Sequence, residues 1–402
     1  GADSPGRIKE FNQNREKQMS ALEKLFEGIL LFRYEYLIMY AIGGVLIYLA
    51  IAKDYEPMLL LPIGFGAILT NLPLNMVWVQ HEAPGVMQLL YNAGILTELF
   101  PVLIFIGIGA MTDFRPLFST PKMIFFGAAA QFGIFFTVLA VLGINELVPS
   151  LGFTLKDAAS IGIIGAADGP TSIVVASQFS PKLLGPISVA AYSYMALVPI
   201  IQPPVIRALT SRKERLIRMP FSQVDVPKWV MVVFPVIVTV VAGILAPISA
   251  PLIGLLMFGN LIKESGVLER LNKAAQNELA NIVTLLLGIT IGTTMYYEKF
   301  LQWQTLVILG LGLIAFVFDT AGGVLFAKFL NLFSKNKVNP MIGAAGISAF
   351  PMSARIVQKM ATQEDDQNFI LMQAVSANVS GQLGSVIAGG LVLSLVPWLL
   401  TL

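Results

Sequence analysis

Two short polar stretches interrupt the apolar sequence, and each carries residue types suited to an ion site. The first reads Ile164-Gly165-Ala166-Ala167-Asp168-Gly169-Pro170-Thr171-Ser172. Gly169 and Pro170 predict a helix broken inside an apolar region. A break frees backbone carbonyls and amides that lipid cannot satisfy, so it is tolerated only where it lines a protein cavity. A carboxylate at membrane depth costs about 3 kcal/mol on insertion scales, which argues against a purely structural Asp168. A carboxylate beside free carbonyls is a hard-oxygen environment, suited to Na⁺ or H⁺ rather than to a soft metal.

The second stretch runs from Asn339 to Arg355 and includes Gly343, Gly346, Ser348, Pro351 and Ser353. Gly346 falls where the first stretch has Asp168, so this break offers neutral oxygens, from Asn339 and Ser348, and no acid. Arg355 has two readings. It snorkels at a helix end, or it faces the cavity and receives a carboxylate through its planar donors. A third polar run, Ser376 to Ser385, places Asn378 and Gln382 four residues apart, on one helix face. Tyr192 and Tyr194 lie in another apolar stretch, where a hydroxyl can be an ion ligand, a proton donor or a packing cap. Glu98 and Asp319 also fall in apolar segments. Neither adjoins a break with both Gly and Pro, so both read as helix-packing or secondary pathway groups.

The elements that position these residues are membrane spans. The chain has 402 residues, 56% hydrophobic and 12% charged, against about 25% charged in soluble domains. Several stretches reach the roughly 20 apolar residues that a crossing needs, and the pattern predicts an all-α polytopic membrane protein of about ten to twelve membrane segments, some of them hairpins. The clearest is Tyr34 to Ala52; Ser160 to Ala176, Thr305 to Leu330 and Phe369 to Leu399 are others. Arg207, Arg212, Lys213, Arg215 and Arg218 cluster between two apolar regions, and the positive-inside rule makes that loop cytoplasmic; the expected location is the inner (cell) membrane. Gly1 to about Glu27 reads as a polar leader, and the apolar spacing from Ser20 to Phe32 predicts an interfacial helix.

Three matches in the same order relate the two halves. Phe65-Gly66-Ala67-Ile68-Leu69 pairs with Phe258-Gly259-Asn260-Leu261-Ile262, Ile108-Gly109-Ala110-Met111 with Ile291-Gly292-Thr293-Thr294, and Ile164-Gly165-Ala166-Ala167 with Ile342-Gly343-Ala344-Ala345. Transporters built from inverted repeats hold their ions at broken helices in corresponding positions. The expected division is a leader at 1–30, a first half at 31–228 and a second at 229–402. The chain has no cysteine and a single histidine, His81, which excludes disulfides, thiol catalysis and a His/Cys zinc site. The net charge of +2 gives no reason to expect nucleic acid. There is no P-loop, dinucleotide fingerprint or nucleophile elbow, so uphill transport must draw on another ion or on a partner's reaction.

Gly165 to Thr171, Gly346 to Arg355 and Asn378-Val379-Ser380-Gly381 together resemble the β subunits of the biotin-dependent, sodium-pumping decarboxylases, which act on oxaloacetate, methylmalonyl-CoA or glutaconyl-CoA. The resemblance runs from about Leu96 to the C-terminus. It implies an antiporter-like fold of inverted repeats and a carboxybiotin decarboxylase that couples decarboxylation and proton consumption to Na⁺ export. It implies that Asp168, Tyr194, Asn339, Gly343, Ser348 and Asn378 handle ions, that Tyr194 and Asp168 also act in catalysis, and that Arg355 receives carboxybiotin. It also implies partners: a biotin carrier subunit, a carboxyltransferase α subunit and a small membrane γ or δ subunit, with this chain a homotrimer. An Ala-Met-Lys-Met attachment motif is lacking here, so biotin comes from elsewhere. Gln382 after Ser380-Gly381 is more similar to the CoA-ester enzymes. The rival is a stand-alone Na⁺/H⁺ antiporter or organic-anion symporter, which needs no partner.

Overall fold

The computed structural model describes residues 26–80, 83–220 and 224–401. The leader through Leu25 and His81 lie outside them; of the expected interfacial helix, one turn, Glu27–Leu30, is described. The fold is helical apart from a two-residue ribbon pairing Val79–Gln80 with Ala83–Pro84. The helices used below are α1 (Tyr34–Lys53), α2 (Pro57–Thr70), α3 (Leu99–Met111), α4 (Ile124–Ala130), α5 (Phe132–Leu147), α6 (Leu155–Gly162), α7 (Gly169–Phe179), α8 (Leu184–Ala196), α9 (Val198–Leu209), α10 (Lys228–Leu245), α11 (Ala250–Ser265), α12 (Ala280–Thr293), α13 (Trp303–Phe333), α14 (Met341–Ala344), α15 (Met352–Glu364) and α16 (Leu371–Leu399). Among the described residues, five helical stretches are long and apolar enough to cross a membrane, and two bent pairs bring the number to seven.

Side-chain contacts fix which ends share a side. Asn71, after α2, donates to Met295 O (2.8 Å) and accepts from Tyr297 N (2.9 Å), after α12, while Arg33 at the start of α1 meets the Tyr297 hydroxyl. On the other side, Arg115 pairs with Glu264 at the end of α11 (3.1 Å), and Lys328 near the end of α13 pairs with Glu214 in the basic loop (3.2 Å). Among the described Lys and Arg residues only Arg33, Lys156, Lys182 and Lys299 lie at the ends away from the basic loop. That asymmetry makes the loop side cytoplasmic.

Neither polar break is a crossing. The stretch expected as a span from Ser160 to Ala176 is a hairpin: α6 continues into a tight turn at Ile163–Ala166, the chain reverses at Ala167 and Asp168, and α7 returns. Its two ends are joined on the outer side, where Ser180 Oγ donates to Asp157 Oδ1 (2.6 Å). Pro170 occupies the first turn of α7, where its missing N–H costs nothing. The second hairpin, α14 and α15, enters from the cytoplasm. Asn339 donates to Arg215 O and Ile217 O (2.9 Å each), Asn368 donates to Arg215 O (3.1 Å), and Arg215 Nε pairs with Glu364 (2.6 Å), so the basic loop binds both of its ends. The Arg218 guanidinium holds the Asp365 carboxyl below its usual value. That pair contributes at neutral pH, and its contribution is lost as the pH falls below the ordinary aspartate range.

Two of the three repeat matches interlock across the fold, each with the other's partner in the opposite half. A Cβ on Gly66 of α2 would fall 2.4 Å from Ile289 O, and one on Gly292 of α12 2.2 Å from Ile63 O. A Cβ on Gly109 of α3 would fall 1.8 Å from Leu256 O, and one on Gly259 of α11 2.0 Å from Ile106 O. Exchanging the two halves turns one crossing into the other, and the two hairpins enter from opposite faces. This is inverted-repeat architecture.

The absence of native cysteine allows a direct test of sidedness. Lys182→Cys is expected to react with a membrane-impermeant maleimide only from the outer face, and Lys213→Cys only from the cytoplasmic face. Labelling of both from one face overturns the assignment.

Candidate functional site

The hairpin tips meet at mid-depth. Ser348 N donates to Ala166 O (3.1 Å), joining one tip to the other through the backbone. Asp168 is the N-cap of α7: its Oδ1 accepts from Thr171 N (3.2 Å). Its other oxygen, Oδ2, gathers side chains from three segments. Thr171 Oγ1 lies at 2.8 Å, Ser385 Oγ of α16 at 2.7 Å, and Ser348 Oγ and Gln382 Nε2 at 3.4 Å each. Asp168 is only 3% exposed. Three of the four groups are hydroxyls, which turn from donating a proton to presenting a lone pair. The same set therefore serves a bare carboxylate or a carboxylate with a cation upon it.

Above this carboxylate is a cavity of about 480 Å³. Asp168, Gly169, Tyr192, Ser348 and Gln382 line its deep end. Glu56, Met111, Gln276 and Thr284 line its cytoplasmic end. The Tyr192 ring packs on Gly169, where a Cβ would fall 2.1 Å from Cε1, and its buried hydroxyl has no partner. Gly346 carries no acid because there is no room for one: a Cβ there would lie 2.4 Å from Phe126 O.

Several expected residues lie elsewhere. The Asn339 amide is held in the anchor of the second hairpin, and Gly343 packs backbone to backbone on Gly323, where a Cβ would be 2.0 Å from its carbonyl oxygen. The Tyr194 hydroxyl donates to Leu309 O, away from the cavity. Asn378 Nδ2 donates to Ile347 O (2.6 Å), bracing the second tip, and its buried Oδ1 is unpartnered. Arg355 is exposed and lines a separate groove with Arg207 and Lys359, one helical turn beyond Pro351, which lines the cavity. The structure thus brings Asp168 and Ser348 together, with Gln382, and leaves Asn339, Gly343, Tyr194 and Arg355 outside their reach. The two other acids lie apart from this site. Glu98 sits at the 59° bend before α3, in a left-handed turn at φ 61°. Asp319 lies within unbroken α13, as expected, and accepts from Ile134 N beside the break at Gln131 in the neighbouring span.

Thr171 and Ser385 were not anticipated. Thr171 stands at the third position after an N-cap aspartate, where a hydroxyl can reach back to the cap. Ser385 lies three residues beyond Gln382 and seven beyond Asn378, so helical spacing puts all three on one face of α16.

Opposed hairpins meeting at a buried carboxylate define an ion-translocating membrane protein built from inverted repeats. The chain belongs to the family described as Na⁺-transporting oxaloacetate decarboxylase beta subunit, which it matches over residues 35–396. It is 46% identical to oxaloacetate decarboxylase beta chain 2 of Salmonella typhi, over 94% of this chain and 99% of that one. It is 48% identical to methylmalonyl-CoA decarboxylase subunit beta of Propionigenium modestum, over 89% and 94%. It is 49% identical to glutaconyl-CoA decarboxylase subunit beta of Acidaminococcus fermentans, over 92% and 95%. It is a multi-pass membrane β subunit of a Na⁺-transporting decarboxylase.

Ser385→Ala and Thr171→Val each remove one hydroxyl from the carboxylate. Each is expected to raise the Na⁺ concentration for half-maximal decarboxylation about tenfold, the scale of one hydrogen bond to a charged group. Na⁺ titration of turnover measures this, and an unchanged curve for Ser385→Ala removes it from the site.

Proposed function

We propose that this subunit decarboxylates carboxybiotin delivered by a separate biotin carrier subunit, and that the reaction drives Na⁺ from the cytoplasm across the membrane while consuming a proton. The observation that carries the reading is the placement of the Asp168 carboxylate, with its hydroxyls, at the floor of a cavity that faces the cytoplasm. Na⁺ binds at Asp168 and Ser348. Cavity volumes of a few hundred Å³ suit a small organic ligand, and the lining here is apolar with convergent polar groups, as a bicyclic ureide needs. Arg355, in the separate groove one helical turn beyond Pro351, meets the carboxylate of carboxybiotin on its way in. As CO₂ leaves, the ureido nitrogen takes up a proton. Tyr194 is a donor for this step once its bond to Leu309 O opens. Movement of the repeat elements that contain the breaks, the two hairpins, then exposes the ion to the outside. Exporting one charge against 100 mV costs about 2.3 kcal/mol, within reach of an exergonic decarboxylation.

The partners that fit this reading are the biotin carrier, a carboxyltransferase α subunit and a small membrane subunit, with three copies of this chain in the assembly. Asn339, Gly343 and Asn378 serve by holding the second hairpin in place, on the basic loop, on α13 and at its tip. A CoA ester is the favoured acyl substrate. The alignment with the glutaconyl-CoA relative runs 369 positions over 92% of this chain, so almost no gap falls in this chain, whereas that with the Salmonella typhi oxaloacetate chain runs 432 positions, more than the 402 residues present. Gln382 points the same way.

Asp168→Asn is expected to abolish Na⁺-dependent decarboxylation in the inserted complex, and Asp168→Glu to retain part of it with weaker Na⁺ affinity; full activity of the Asn variant at low Na⁺ refutes the assignment. Arg355→Lys tests the carboxylate receptor, because Lys lacks two parallel donors. Turnover at limiting carboxybiotin should fall while Na⁺ binding is kept. Wild-type turnover leaves Arg355 as a snorkelling residue.

A further inference from the structure

The two halves carry the same irregular helix in different shapes. A wide π-helical turn, Tyr91–Ile95, precedes α3, and another, Ala275–Leu279, precedes α12. Such turns are rare and often mark functional positions. The register that aligns Ile108-Gly109 with Ile291-Gly292 lays Gly94 on Asn277, one inside each turn, and Glu98 on Asn281. The inverted repeat puts the first turn toward the outside and the second toward the cytoplasm. In the second half the chain continues through the turn as one helix, Glu269–Thr293. In the first it bends by 59° at Glu98, whose left-handed backbone (φ 61°) is one that L residues rarely adopt.

These shapes match the state of the seam beside each turn. On the cytoplasmic side, Gln276 of the second turn and Thr284 of α12 line the cavity together with Phe350 and Pro351, which lead into α15, the return arm of the second hairpin. That seam is open. On the outer side, α7, the return arm of the first hairpin, packs on both the first turn and α3. Gln178, one residue from the end of α7, donates from Nε2 to Glu98 Oε1. The corresponding seam is therefore closed, and it is pinned at the bend.

We propose that the outer seam, between the Glu98 bend and α7, is the route by which Na⁺ leaves, and that Glu98 and Gln178 form a latch that shuts it while the cavity faces the cytoplasm. The inference rests on the preceding reading that the hairpins move to expose the ion outside, and it names where they part. Exchange of shape between the halves supplies the step: the first turn straightens as the second bends, the bond between Glu98 and Gln178 opens, and the second hairpin closes on Gln276 and Thr284. One hydrogen bond between partly exposed side chains suits a latch, because water replaces it at little cost.

The chain has no cysteine, so a pair introduced at the latch can be bridged selectively. The experiment uses the whole decarboxylase complex in proteoliposomes, with Glu98→Cys and Gln178→Cys joined by a short bis-methanethiosulfonate reagent and each single variant as a control. Bridging is expected to lower transport of radiolabelled Na⁺ by about tenfold or more, and reduction to restore it. Equilibrium Na⁺ binding to the bridged chain in detergent is expected to stay at the unbridged value, which general damage to the fold would not allow. Transport left unchanged by the bridge overturns the proposal. Decarboxylation of free carboxybiotin by the wild-type complex reports on the preceding reading by itself, so failure of that reading and failure of the latch are told apart. If the unbridged pair is inactive, Gln178→Leu decides. It cannot donate to Glu98, and the half-saturating Na⁺ concentration for turnover is expected to rise about threefold as the cytoplasm-facing state loses its latch; an unshifted curve overturns the proposal.

Discussion

The cost of keeping one carboxylate charged at mid-membrane governs this structure. Asp168 Oδ2 is served by hydroxyls from α7, the second hairpin and α16, and by the Gln382 amide. The four groups come from three different elements, so the charge is tolerated only when the elements converge. The hairpins converge because their breaks leave backbone groups that only each other can satisfy, as Ser348 N and Ala166 O do. Site and architecture are therefore one constraint. Separating the tips leaves a bare charge in the protein interior, and neutralising the charge removes a reason for the tips to stay together.

Much of this was legible in the sequence because lipid makes polar residues conspicuous. Asp168 beside Gly169 and Pro170 stood out, and so did Ser348 in a stretch of small residues. The repeat matches proved to be glycines at helix crossings, where spacing matters more than chemistry. The fold class and the family followed. The grouping of the polar residues did not, because partners in this site are set by which hairpin enters from which face. Asn339 and Ser348 lie nine residues apart in one break, yet one binds the loop at the membrane surface and the other reaches Asp168. Ser385 and Thr171 were hidden for the opposite reason: Ser and Thr are common in membrane helices, and only their spacing from Asp168 and from Asn378 and Gln382 marks these two.

The basic loop does more than set orientation. Its backbone carbonyls at Arg215 and Ile217 receive Asn339 and Asn368, and its guanidiniums pair with Glu364 and Asp365. A segment recognisable only as a charge run thus ties the base of the second hairpin to the end of α9. Gln202 of α9 extends the connection inward, donating to Ala344 O and accepting from Ser353 Oγ, one residue on each arm. Events at the cytoplasmic surface have a continuous hydrogen-bonded route to the tip beside Asp168.

The glycine crossings distribute stiffness unevenly. Where α2 meets α12 and α3 meets α11, backbone lies against backbone with no side chain between them. Surfaces so close have no room to slide, because any shift drives a carbonyl into a neighbouring Cα. The hairpins instead meet through hydroxyls and one amide, whose bonds can be exchanged singly. These four helices thus form a chassis, and the compliance of the molecule is concentrated in a seam of a few polar contacts around its charge. On the proposed reading, the ion occupies the softest joint of an otherwise rigid frame.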